Sequence, residues 1–75
     1  MNYRENFSKI LCNLRKTHNL SLNALALEVG LTNQAISLLE KGKRSPSFEI
    51  LIALADYFDV SLDYLVGRSD DPTMR

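Results

Sequence analysis

Residues that build cross-links and metal sites are scarce in this sequence. It has one cysteine, Cys12, and one histidine, His18, among 75 residues. A lone cysteine excludes an internal disulfide and any CxxC pair. One His and one Cys fall short of the three or four ligands of a zinc site, so neither a metal nor a cofactor is expected. Cys12, next to Leu11 in a helical pattern, reads as a buried or half-buried structural thiol, and His18 as a solvated residue at a helix end. No apolar run approaches the roughly 20 residues that cross a bilayer. The opening stretch "MNYRENFSKI" carries charges where a signal peptide has an apolar core. A cytoplasmic protein with no membrane partner is the expectation. A glycine-rich phosphate loop, a histidine–nucleophile pair and clustered carboxylates at helical spacing are all missing, so an enzyme is not expected.

Net charge is also absent, at +0, but its distribution is lopsided. Residues 1–46 set seven cations against three carboxylates, a balance of +4, and residues 47–75 set two against six, a balance of −4. A neutral chain divided in this way still presents a positive face. Its length fits one domain, which buries only about 60% of its unfolded surface, so the core has to be economical. The apolar content of 45% suits a compact fold.

The apolar residues that are present recur at helical spacing. Phe7, Ile10, Leu11 and Leu14 predict a first helix over about 4–17. Leu22, Leu25, Ala26 and Val29 predict a second over 22–29, stopped by Gly30. Ile36 and Leu39 mark a third over 33–41, before Gly42. Leu51, Leu54, Ala55 and Phe58 mark a fourth over 48–58, and a short fifth at 62–66 ends at Gly67. In "LSLNAL", "LTNQAI" and "VSLDYL", a hydroxyl residue sits between two apolar ones at fixed spacing. Ser21, Thr32 and Ser61 are therefore N-caps, worth about 1 kcal/mol each. The flanking pairs Leu20/Leu25, Leu31/Ile36 and Val60/Leu65 fit hydrophobic staples. Nothing alternates with period two, so the fold class is all-α. Only Gly30, Leu31 and Thr32 separate the second and third helices. Such a connection favours the steep crossing of a helix-turn-helix, although helical hairpins share it.

Residues 20–67, "LSLNALALEVGLTNQAISLLEKGKRSPSFEILIALADYFDVSLDYLVG", resemble the phage-repressor (Cro-repressor, Xre-type) helix-turn-helix family. The "LA" of the second helix, "VGLT" at the turn, "IS..E.GKR.PS" and "L..LA..F.VSLDYL" carry the likeness. The resemblance implies a compact five-helix domain; the sequence divides into that domain over 1–67 and a C-terminal segment, 68–75, that reads as a frayed tail or as the stub of a linker to an effector domain. The resemblance also implies that the third helix enters the DNA major groove, and that Arg15 pairs with Glu40 to lock the third helix against the first. Leu22 departs from the family's phosphate-binding glutamine, Leu38 from a polar groove residue, and Ala24 and Leu27 from a charged surface.

The third helix has two sides. At about 100° per residue, Ala35, Ile36 and Leu39 share one stripe. Gln34, Ser37 and Lys41 lie opposite, flanked by Asn33 and Leu38. Amides donate and accept at once, as adenine N6 and N7 require, so Asn33 and Gln34 suit base contact, as does Ser37; Leu38 suits a thymine methyl. Lys41, Lys43 and Arg44 suit phosphate, as do Ser21, Asn23 and Thr32 at helix starts. The bland alternatives are a solvated polar face and cations complementing a helix dipole. The expected function is sequence-specific binding of double-stranded DNA by a transcriptional regulator, in particular a repressor. A homodimer is expected at least on DNA, with Tyr57, Leu62, Tyr64, Leu65 and Val66 as interface or core residues. The alternative is a protein-interaction module, antitoxin-like or adaptor, favoured by Leu22, Leu27 and Leu38.

Overall fold

The structure, a computed structural model, describes residues 2–73. It contains five helices in the order α1 (Tyr3–Thr17), α2 (Leu22–Val29), α3 (Asn33–Glu40), α4 (Phe48–Phe58) and α5 (Leu62–Leu65), with no strand among the described residues. Each helix starts on a side chain that accepts from an otherwise unpaired backbone N–H. Ser21, Thr32 and Ser61 cap α2, α3 and α5 at 3.0, 3.1 and 3.0 Å. Two further caps start helices that the apolar–hydroxyl–apolar pattern did not mark. Asn2 accepts from Glu5 N–H at 3.0 Å, and Ser47 accepts from Ile50 N–H at 3.2 Å.

Helix ends use left-handed backbone. Gly30 closes α2 at φ +74°, a conformation that favours a residue without Cβ. Asn19 and Asp59 do the same after α1 and α4, each at φ +56°. Asn and Asp tolerate this region because their short polar side chains bond locally.

The helices surround one apolar centre. Phe7, Leu11, Leu25, Ile36, Leu39, Leu54 and Leu65 are its largest fully buried side chains. Ala26, Ala55, Phe58 and Val60 complete the cluster. Leu20 and Leu31 pack against it half-buried and Val60 is buried in it, so the chain entries into α2, α3 and α5 are fixed by apolar contact as well as by their caps. His18 is exposed but not free. Its Nδ1–H donates to the Leu14 carbonyl at 2.8 Å, and its ring meets Phe58 edge-on at 4.9 Å. Cys12 is a half-buried free thiol.

Residues 68–73 turn back towards α5. Arg68 N–H donates to the Asp63 carbonyl at 2.8 Å, and Ser61 N–H donates to the Pro72 carbonyl at 2.9 Å. Residues 74–75 lie outside the described residues. Among the described residues, no helix is long and apolar enough to cross a membrane.

Candidate nucleic-acid interface

Helix α3 packs on α2 and α1 with one stripe and leaves the other outward. Ala35, Ile36 and Leu39 are 7%, 0% and 0% exposed. Asn33 and Gln34 are exposed, whereas Ser37 and Leu38 are half-buried. The side chains available to a partner are therefore concentrated at the first turn of α3. Thr32 and Ser21 are exposed, and each hydroxyl oxygen already accepts one backbone N–H. A hydroxyl that accepts still has its own proton to donate, so capping and anion contact are compatible.

The far end of α3 carries the cations. Lys41 is the C-cap residue, and Lys43 and Arg44 follow in the loop, all three exposed. None of them pairs with a carboxylate among the described residues. The ion pairs there are Lys9–Glu5 at 3.3 Å, Arg68–Asp63 at 3.6 Å, and Arg15–Glu40.

Arg15 and Glu40 meet in a forked contact. Arg15 Nε and Nη2 donate to the two Glu40 oxygens at 2.5 and 3.0 Å, and Nη1 donates to the Leu20 carbonyl at 2.8 Å. The two side chains are only 14% and 9% exposed. One guanidinium thus ties α1, the α1–α2 loop and the last residue of α3. The Glu40 hydrogen bond, and after it the attraction of its charge, outweigh desolvation and raise the Arg15 pKa. Because Glu40 is spent inward, its charge does not oppose an anion on the outer face.

A second clamp was missed in the sequence. Ser8 is buried, and its Oγ lies 2.8 Å from both the Arg4 and Leu39 carbonyls, so its proton serves the two α1 and α3 acceptors. A Cβ added to Gly42 would sit 3.3 Å from this hydroxyl. A small polar residue between Phe7 and Leu11 was the available signal for two helices approaching closely. Leu22 also changes meaning. As the first residue of α2 it packs half-buried against the core, which gives it the role of an apolar anchor. Leu27, by contrast, is 75% exposed. Of the residues expected at an interface near the C-terminus, Leu65 is buried, Tyr64 and Val66 are half-buried, and Leu62 and Tyr57 remain exposed.

A helix-turn-helix family model matches residues 13–65, which span α2, the turn, α3 and α4 entirely. The chain belongs to this helix-turn-helix family. It is 37% identical over 59 residues to YobD, an uncharacterized HTH-type transcriptional regulator of Bacillus subtilis, covering 79% of this chain and 53% of that protein. With AnsR, an HTH-type transcriptional regulator of the same organism, identity is 43% over 58 residues, covering 77% and 50%. The chain thus spans about half the length of these relatives. The P22 c2 repressor, crystallised with a synthetic operator, superposes with a TM-score of 0.75 at 34% identity, over 79% of this chain and 89% of that one. The helix-turn-helix fold is the phage-repressor one.

Proposed function

We propose that this chain is the DNA-binding domain of a transcriptional regulator, a repressor in the first instance, which acts as a homodimer on double-stranded DNA in the cytoplasm. The observation that carries the reading is the division of α3. Its stripe of Ala35, Ile36 and Leu39 is buried, while exposed amides start the helix and unpaired cations follow it. Gln34 and Asn33 read base edges, with Ser37 and Leu38 as shallower contacts whose half-burial limits their reach. Lys41, Lys43 and Arg44 hold phosphates on one side of the groove; Ser21, Asn23 and Thr32 hold them on the other, through hydroxyls and free N–H groups. The similarity to a repressor solved on its operator supports this arrangement. Nothing in it calls for catalysis.

One domain contacts few base pairs, so specificity comes from two half-sites about 34 Å apart. Selection of bound duplexes from a random pool tests the proposal. A palindromic motif with that spacing is expected, together with binding that weakens steeply with salt. No enrichment, or affinity flat in salt, would refute DNA binding. It would favour a second reading, a protein-interaction module, for which the 75% exposure of Leu27 is the supporting observation.

A further inference from the structure

The start of α1 and the end of α3 enclose a hollow to which no role has yet been given. Arg4, Glu5 and Lys9 of α1, with Glu40, Lys41 and Gly42 at the end of α3 and in the loop after it, line an open space of about 410 Å³. Its charges are unequally answered. Lys9 pairs with Glu5 at 3.3 Å, and Glu40 pairs with Arg15. Arg4 and Lys41 are exposed and have no carboxylate partner among the described residues. Two positive charges are therefore left over. A helix C-terminus opposes an anion through its free carbonyls, but the end of α3 is closed. The Ser37, Leu38 and Leu39 carbonyls accept from the N–H groups of Lys41, Lys43 and Gly42 at 3.0, 3.0 and 3.2 Å, and Leu39 also accepts from the Ser8 hydroxyl. These bonds also fix the backbone on which Lys41 stands.

We propose that the hollow is a phosphate cleft in which Arg4 and Lys41 together take one backbone phosphate of a DNA duplex. The proposal rests on the placement of α3 in the major groove and adds a residue of α1 to that interface. The eight residues of α3 span about 12 Å, the width of a major groove. With Asn33 and Gln34 at base edges, the opposite end of the helix reaches the rim of the groove, where a phosphate strand passes. Arg4 offers a planar fork that matches two phosphate oxygens, and Lys41 a compact point charge. Neither reads a base, so the contact sets the register of the domain on the duplex and not its sequence preference.

The test uses the duplex that the unaltered chain selects, in anisotropy titrations at low salt, with circular dichroism to check that each variant is folded. Arg4→Ala removes an exposed side chain and keeps the Arg4 carbonyl that accepts from Ser8. It is expected to weaken binding roughly three- to fivefold. Arg68→Ala removes an equal charge from the pair with Asp63 of α5 and should leave the affinity unchanged. Each phosphate is then replaced in turn by an uncharged methylphosphonate. At one position of each half-site the loss caused by Arg4→Ala should vanish, and the loss caused by Lys41→Ala should vanish at the same position. An equal loss in Arg68→Ala, no cancelling position, or different positions for Arg4 and Lys41 would overturn the cleft and leave the placement of α3 standing. If the unaltered chain selects no duplex, that placement fails and the cleft falls with it.

Discussion

Removing the Glu40 carboxylate isolates what holds α3 in place. Two charged N–H groups of Arg15 point at it, and the pair is nearly shielded from water, at 14% and 9% side-chain exposure. In Glu40→Ala, Arg15 keeps its bond to the Leu20 carbonyl and loses the other two. A hydrogen bond to a charged group contributes about 1.5–3 kcal/mol, and breaking a fully buried pair costs about 3–5 kcal/mol. The residual exposure of Arg15 lets water reach the orphaned donors, so we set the loss at about 2–3 kcal/mol. In a domain of this size each kcal/mol moves Tm by about 4–8 °C, so a fall of about 10–20 °C is expected in thermal melts followed by far-UV circular dichroism. Glu40→Gln keeps one acceptor without the charge and should lose about half as much. The raised Arg15 pKa means that the folded state binds this proton more tightly than the unfolded state. That contribution is complete below the unfolded pKa of an arginine and disappears only as pH rises beyond it, so it persists through the neutral and mildly alkaline range. A fall in Tm below about 4 °C for the alanine variant would refute the argument that this pair locks α3.

The other predictions concern the groove face and the backbone. Lys43→Ala should weaken binding to all duplexes similarly and reduce the salt slope by about 1 per protomer, measured by anisotropy titration at several salt concentrations. An unchanged slope would remove Lys43 from the phosphate contacts. Gln34→Ala should relax preference at one position of each half-site, at about 1–3 kcal/mol, and leave the salt slope unchanged; duplex selection repeated with the variant checks it. Gly30→Ala and Gly67→Ala both force an L residue into positive φ, at +74° and +83°. Nothing lies near a Cβ at position 30, so that change should cost about 1–2 kcal/mol. At position 67 the Cβ would sit 2.9 Å from Cβ of Asn6, which adds overpacking and brings the total to about 2–4 kcal/mol in urea melts.

What could be read from the sequence and what could not follows the range of the interactions. Helix α2 is found over Leu22–Val29 and α4 over Phe48–Phe58, as the apolar spacing predicts, and the other helices agree to within one residue at either end. Caps and stripes act within a turn, so the residues that encode them lie side by side. Even there, Ser47 went unmarked because Pro46 stands where the other N-caps have an aliphatic neighbour. The α4 terminus at Asp59 carries no glycine, although its aspartate adopts the same left-handed backbone. The Arg15–Glu40 contact spans 25 positions and the Ser8–Leu39 contact 31, and no local pattern names the distant partner of either. Only the family resemblance points to the first, and nothing in the sequence names Leu39 as the partner of Ser8. Leu22 and Phe48 show the same limit from opposite directions. Both begin a helix and both are large and apolar, yet Leu22 packs against the core while Phe48 is 67% exposed. Periodicity within a helix tells which residues share a face. Whether another element covers that face is decided by the tertiary arrangement, and for Phe48 nothing within the described residues covers it. The part of the molecule least legible in its sequence is therefore the face that no other element of the described residues covers.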